Sequence, residues 1–205
     1  MTLPRHRLLR MTVPAAVAAA LALGAPTAEA KTLRHSDRVH DLVKFDENAG
    51  SQTADPGHVN TDIVSFKMWH SDTRVGIRVK FSELKRTGML RGDLLHIVTN
   101  EGVRRDAQVI AGTADMAPHA WRGDAELDRP NGDRVRCAVS HSIDYAANVV
   151  QIGVPRSCLS SPRWVRLGYG AFSTGPDFST GWGDDALLNG TVKDNLTLSS
   201  RLYRG

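Results

Sequence analysis

The chain has 205 residues, of which 26 are lysine or arginine and 22 are aspartate or glutamate, and its formal net charge is +4. The basic residues are spread along the chain, and no basic run is longer than a pair such as Arg104-Arg105. This composition gives no reason to expect a nucleic acid or an acidic membrane as partner, so we predict no nucleic-acid binding.

Residues 1–30 have the three parts of a secretory signal peptide. Three arginines within the first ten residues form a positive start, Val13–Leu23 is an apolar run, and Ala28-Glu29-Ala30 has the small-x-small pattern of a cleavage site. The apolar run is too short to cross a bilayer comfortably, although an uncleaved anchor is the alternative. We therefore expect cleavage after Ala30 and secretion of residues 31–205 as a single domain without a transmembrane segment.

Alternation of apolar and polar residues predicts short β-strands through most of residues 31–205. The strongest pair is Ile63–His70 and Arg74–Phe81, joined by a short polar break, which predicts a β-hairpin. Further strands are predicted, in chain order, at His40–Phe45, Asp93–Thr99, Arg105–Ala111, Val135–His141, Val149–Val154, Trp164–Phe172 and Asn195–Tyr203.

Two of these strands, Val135–His141 and Val149–Val154, are predicted to form a second hairpin. The segment Gly112–Asp133 is predicted as a long loop or a loose hairpin, and Ser173–Gly183 as a loop rich in Gly, Ser and Asp. No convincing amphipathic helix longer than two turns is found. Eight or nine short strands therefore predict an all-β fold, namely an antiparallel β-sandwich of jelly-roll type.

The region 31–205 contains two cysteines, Cys137 and Cys158. An even pair in an oxidising exterior is most simply a disulfide. A metal or redox pair is the alternative, but the spacing is far from CxxC and no third thiol accompanies it. We expect one disulfide between Cys137 and Cys158.

The stretch from Lys44 to Lys85 carries a short pattern: Asp46-x-Asn48-Ala49-Gly50, a loop, Asp62-Ile63, an alternating hairpin and Glu83-Leu84. This layout resembles uncharacterised secreted proteins of GC-rich Gram-positive bacteria. Their architecture is similar to the DOMON-like sandwich, a group that includes the family-nine carbohydrate-binding modules. The resemblance implies a sugar-binding or haem-binding type of sandwich, and it does not imply catalysis.

Acidic and amide side chains at the two ends of this pattern are candidate metal ligands. Asp46, Asn48 and Asp62 could gather around Ca²⁺, which takes six to eight oxygen ligands. The alternative is ordinary turn chemistry, in which Asp and Asn side chains bond to their own backbone. No acidic residue occupies the twelfth loop position counted from Asp46, so the pattern is not an EF-hand.

Trp121 and Trp182 lie in Gly- and Asp-rich segments and are candidate ligand-binding residues. An exposed indole stacks on the apolar face of a sugar ring, and nearby polar groups bind the hydroxyls. The alternative is that these rings close the ends of the sandwich.

No sequence motif identifies a catalytic residue, because GxSxG, HExxH and a free nucleophilic cysteine are all missing. Covalent haem is excluded because there is no CxxCH motif. We therefore expect a secreted non-catalytic binding module for carbohydrate, such as extracellular polysaccharide or cell-wall glycan. A structural or protein-interaction domain at the cell surface and an uncommon secreted hydrolase are the alternatives.

Overall fold

A computed structural model describes residues 31–46, 49–193 and 195–205. These residues contain thirteen β-strands, two 3₁₀ turns and no α-helix. The strands are β1 (Lys31–Ser36), β2 (Val43–Asp46), β3 (Ser51–Ala54), β4 (Ile63–His70), β5 (Arg74–Phe81), β6 (Leu90–Thr99), β7 (Arg104–Gly112), β8 (Asp124–Asp128), β9 (Ser140–Asp144), β10 (Val149–Pro155), β11 (Trp164–Thr174), β12 (Thr180–Asp185) and β13 (Leu202–Tyr203). In this described part of the chain, no helix has the length and hydrophobicity needed to cross a membrane.

The strands form two antiparallel sheets. Sheet A has the order β1-β4-β5-β10-β9, and sheet B has the order β3-β2-β12-β11-β6-β7-β8, with β13 paired to β11. Buried side chains of β4, β5 and β10 in sheet A join those of β6, β7 and β11 in sheet B in one hydrophobic cluster. The predicted all-β antiparallel sandwich is therefore confirmed.

The hairpin β4–β5 has the bounds that the alternating pattern predicts. Phe66 pairs with Val79 and Met68 pairs with Ile77, and all four side chains are at most 4% exposed. Because successive side chains of a strand point to opposite faces, this register sends one apolar row into the core. Burial of each such side chain stabilises the fold by about 1.5–3 kcal/mol.

The described residues hold more strands than the eight or nine expected, because several strands lack a hydrophobic pattern. The strands β1 and β3 lie at sheet edges and are mostly exposed, β12 has the sequence TGWGDD, and β13 has only two residues. The segment Gly112–Asp133 contains β8, so it is more regular than a long loop. Main-chain pairing with a neighbour defines these strands, although Leu127 of β8 and Leu202 of β13 reach the core.

The second predicted hairpin is shorter than the alternating sequence indicates. Its first strand, β9, begins at Ser140, and residues 135–139 form no strand, so the prediction for that part was wrong. Val135 and Val139 are nevertheless half-buried against the core. Alternating burial without a paired neighbour explains why the pattern looked like a strand.

The predicted disulfide between Cys137 and Cys158 is confirmed, with a Cα–Cα distance of 6.1 Å. Cys158 lies in the 3₁₀ turn Arg156–Leu159, which follows β10 directly. Both cysteines are partly buried and pack against the core. The bridge therefore holds the irregular segment before β9 to the end of β10.

Candidate metal centre

Three buried aspartates from distant parts of the chain converge at one place. Asp41 precedes β2, Asp62 precedes β4, and Asp184 lies in β12. One carboxylate oxygen from each lies within 4.8 Å of the other two. Their exposed fractions are 7%, 0% and 2%, respectively. We call these three residues the carboxylate cluster.

The hydrogen bonds that fix the cluster come from neutral donors. Asp62 accepts from the backbone N–H of His40 at 3.0 and 3.2 Å and from the hydroxyl of Ser82 at 2.5 Å. Asp184 Oδ2 accepts from the backbone N–H of Ile63 at 2.8 Å, a contact that ties β12 of sheet B to the start of β4 in sheet A. These bonds orient the carboxylates and bring no positive charge.

Two carboxylate oxygens at this place are buried and have no hydrogen-bond partner. They are Oδ1 of Asp41 and Oδ2 of Asp37. The other oxygen of Asp41 accepts from the backbone N–H of Gly190 at 3.0 Å. In the described part of the chain, no ion pair with lysine, arginine or histidine involves Asp37 or any member of the cluster. An unpaired polar atom in a buried place is costly, so these oxygens have an unmet need for a donor or a cation.

Burial and neighbouring negative charge raise the proton affinity of this group. Burial, with the nearby carboxylates Asp37, Asp41 and Asp62, raises the pKa of Asp184 to about 8. The same two causes raise the pKa of Asp37 to about 7, and burial also raises the pKa of Asp41. Like charges this close cannot all stay ionised without a counter-ion. The group must therefore hold protons or bind a cation at neutral pH.

The donor set indicates which cation would fit. The three side-chain ligand atoms that converge are carboxylate oxygens, and no histidine or cysteine belongs to the cluster. Hard oxygen donors suit Ca²⁺ or Mg²⁺ and not Zn²⁺ or copper, which favour nitrogen and sulfur. Asp37, with its free oxygen, supplies a fourth carboxylate to the same region.

The cluster contains one of the three predicted metal ligands. Asp62 is a member, whereas Asp46 is exposed at the end of β2, where its Oδ1 accepts from the backbone N–H of Ala49 at 3.0 Å. Asn48 lies outside the described residues. Asp41 and Asp184 were missed by sequence reasoning. The only sequence signal for Asp184 is its place in a short Asp pair, which does not separate it from a solvated turn.

The two predicted ligand-binding tryptophans lie far apart in the sandwich. Trp182 on β12 donates from Nε1 to Asp55 at 2.9 Å and stacks on the ring of His58, with centroids 4.0 Å apart. Trp121 lies in the 3₁₀ turn just before β8, and its backbone carbonyl accepts from the hydroxyl of Tyr145 at 2.9 Å. Three strands, β11, β6 and β7, separate β12 from β8 in sheet B. The two indoles therefore do not form one sugar-binding platform.

A second buried polar group lies between the sheets. Arg91 donates to Asp93 Oδ1 at 2.7 Å, and the hydroxyl of Tyr169 donates to the same oxygen at 2.5 Å. All three residues are at most 1% exposed. Burial raises the pKa of Asp93 although the Arg91 guanidinium lowers it. Asp93 Oδ2 also has no hydrogen-bond partner, but this carboxylate is paired with the positive charge of Arg91, which the carboxylate cluster lacks. The hydroxyl of Tyr169 links Asp93 to β11.

No protein-family model matches the chain, and neither a curated protein nor a solved structure is significantly similar to it. The likeness of residues 44–85 to DOMON-like sandwich proteins therefore stays a prediction. The fold and the site define an antiparallel β-sandwich that carries a buried carboxylate cluster, and its function has to be argued from that geometry.

Proposed function

We propose that this protein is a non-catalytic binding module that works outside the cell and takes up Ca²⁺ at the carboxylate cluster. The observation that supports this most directly is the convergence of Asp41, Asp62 and Asp184 in a buried place that has no cationic side chain paired to it among the described residues. Buried charges in proteins are either paired or coordinate metals. The free oxygen of Asp41 adds a ligand atom that no protein group uses.

Calcium is the preferred ion because its coordination is flexible. Mg²⁺ demands near-ideal octahedral geometry and gives up its waters reluctantly, whereas Ca²⁺ accepts irregular sets of carboxylates. Calcium sites of extracellular modules commonly have dissociation constants of roughly 10⁻⁴–10⁻³ M. Such an affinity is useful only where calcium is abundant, which agrees with the export that residues 1–30 predict.

The ligand that we propose is an extracellular carbohydrate. Support comes from the predicted signal peptide, the sandwich fold and the lack of a catalytic motif in the sequence. The competing function is a structural or protein-interaction domain at the cell surface. It is favoured by one observation: Trp121 and Trp182 are separated and each already contacts other parts of the protein.

Calorimetric titration of the protein with CaCl₂ and MgCl₂ tests the metal part of the proposal. Wild type should bind Ca²⁺ more tightly than Mg²⁺, and Asp62→Asn should bind at least about tenfold more weakly, because one charged ligand is lost. Asp115→Asn is the matched control, since Asp115 is exposed and lies outside the cluster. Absence of calcium binding by wild type would refute the metal site.

A glycan array read together with tryptophan fluorescence tests the carbohydrate part. Saturable binding to a polysaccharide or to peptidoglycan is expected. If no glycan binds and cross-linking on intact cells captures a protein neighbour instead, the carbohydrate assignment is wrong. The structural or protein-interaction function at the cell surface then replaces it.

A further inference from the structure

The outer face of sheet A carries three basic side chains in one row. Arg34 of β1 pairs with Lys67 of β4, and Lys67 pairs with Arg78 of β5. Directly paired residues of antiparallel strands have Cα atoms about 4.5–5.5 Å apart, so these residues form a short line of positive charge across three strands. The row continues into the neutral residues Gln151 and Ser142. We call Arg34, Lys67 and Arg78 the cation row.

The cation row has no acidic partner in the described part of the chain. None of its members takes part in an ion pair or a side-chain hydrogen bond there, and both arginines are exposed. Like charges directly opposite each other in a sheet are destabilising, so the cation row does not stabilise the fold. The row borders an open hollow of about 350 Å³ that is also lined by Ser36 and Ser65.

An indole lies next to the cation row on the same face. Trp69 follows Lys67 by two positions in β4, so both point outward, and its cross-strand partner is Gly76. A Cβ atom at Gly76 would lie 2.5 Å from Cζ2 of this indole, so the absence of a side chain lets the ring lie over the strand. The next residue across the sheet is Gly153, whose carbonyl oxygen accepts from the Arg74 guanidinium at 3.0 Å. Trp69 remains partly exposed.

We propose that this outer face of sheet A binds an acidic polysaccharide. The Trp69 ring offers a surface for the apolar face of a sugar, the cation row binds the carboxylate or sulfate groups along the polymer, and the two serines bind hydroxyls. The inference rests on the proposed carbohydrate function and narrows it to acidic polymers. It also assigns the binding site to residues other than Trp121 and Trp182.

Two other polyanions fit this face less well. Single-stranded nucleic acids are bound by a groove with several stacking aromatics, whereas this face offers one indole. Acidic membranes are bound by basic faces that also expose large apolar side chains. The large hydrophobic side chains that are exposed in the described residues are Val39, Met116, Phe172 and Tyr203. None of these four belongs to a strand of sheet A.

Affinity electrophoresis of the protein in gels that contain polygalacturonate, dextran sulfate or neutral dextran tests the proposal. Wild type should be retarded by one or both acidic polymers and not by dextran. The double variant Lys67→Gln/Arg78→Gln should bind at least about tenfold more weakly, with a smaller salt dependence, because fewer counter-ions are released. Arg104→Gln/Arg122→Gln removes the same charge from exposed positions outside the cation row and should bind like wild type.

Thermal unfolding separates loss of binding from loss of folding. Since Lys67→Gln/Arg78→Gln removes repulsion between like charges, its melting temperature should equal or exceed that of wild type. Trp69→Leu should weaken the retardation while leaving the net charge unchanged. An equal loss in the control variant, or tighter binding to duplex DNA than to both acidic polymers, would overturn the proposal. If Lys67→Gln/Arg78→Gln still binds neutral glycans, only the assignment of this site is wrong. If wild type binds no glycan, the carbohydrate function is wrong as well.

Discussion

Replacement of Asp184 by asparagine should stabilise the metal-free protein and remove its response to calcium. Asp184 is 2% exposed, and burial among other carboxylates raises its pKa to about 8. Near neutral pH the native state must therefore hold a proton at Asp184 that the unfolded chain gives up. Asparagine is neutral, and its side-chain carbonyl can still accept the hydrogen bond from the backbone N–H of Ile63, which is now 2.8 Å long.

The size of the effect follows from the pKa difference. The ordinary pKa of an aspartate is 3.8, so a pH of about 7 lies roughly 3 units above the pKa of the unfolded chain and below that of the native state. At 1.36 kcal/mol per unit, the metal-free native state loses up to about 4 kcal/mol at this position. For a domain of this size, 1 kcal/mol shifts the melting temperature by about 2–4 °C, so Asp184→Asn should raise it by up to about 8–16 °C in EDTA.

Calcium should stabilise wild type and should have no effect on the variant. A free concentration ten times the dissociation constant stabilises wild type by about 1.4 kcal/mol, or roughly 3–6 °C, and should leave Asp184→Asn unchanged. Circular-dichroism melts in EDTA and in calcium measure all four values, with Asp177→Asn as an exposed control on the loop before β12. The reasoning is refuted if the variant melts below wild type in EDTA or keeps the calcium-induced rise.

Three further predictions concern the rest of the fold. In EDTA, the free energy of unfolding from urea titrations should fall as pH rises from about 4 to about 8. The raised pKa values of Asp37 and Asp184 make the native state bind more protons than the unfolded chain in this window. Saturating calcium should make the free energy of unfolding less dependent on pH. Replacement of Cys137 and Cys158 by serine should cost about 3 kcal/mol in urea unfolding, since the bridge closes a sequence separation of 21; an unchanged midpoint would contradict the chain-entropy argument. Tyr169→Phe should cost about 1.5–3 kcal/mol in the same assay by removing a buried donor to a carboxylate, and a neutral result would show that the hydroxyl is dispensable.

The parts of the fold that the sequence predicts are those whose residues pair locally. The β4–β5 hairpin needs only a short connection and one apolar face, so the alternation of Phe66, Met68, Ile77 and Val79 is sufficient to predict both of its strands. The disulfide could be predicted because only two cysteines remain after residue 30. Few alternative strand pairings or cysteine pairings compete with these two predictions, and each prediction is confirmed.

The carboxylate cluster could not be predicted in this way, because it depends on the order of strands in space. Asp41 and Asp184 are 143 positions apart and meet because β12 inserts between β2 and β11. That strand is rich in glycine and aspartate and has no apolar alternation, so its sequence resembles a loop. The cation row has the same origin, since Arg34, Lys67 and Arg78 become neighbours only through the register of three strands.

The strand β4 connects the two proposed sites and also keeps them apart. Asp62 lies buried just before β4, and Lys67 lies five residues further on, at a distance of about 16 Å along an extended strand and on the outer face. This distance is several times the separation of about 4 Å in an ion-pair contact, and no ion pair joins the two groups in the described part of the chain, so the cluster does not pair with the cation row. A chain with a net charge of only +4 can therefore hold a cation-binding centre and an anion-binding face at once. Overall composition gives no reason to expect a polyanionic partner, because it averages over two regions of opposite sign that the fold separates.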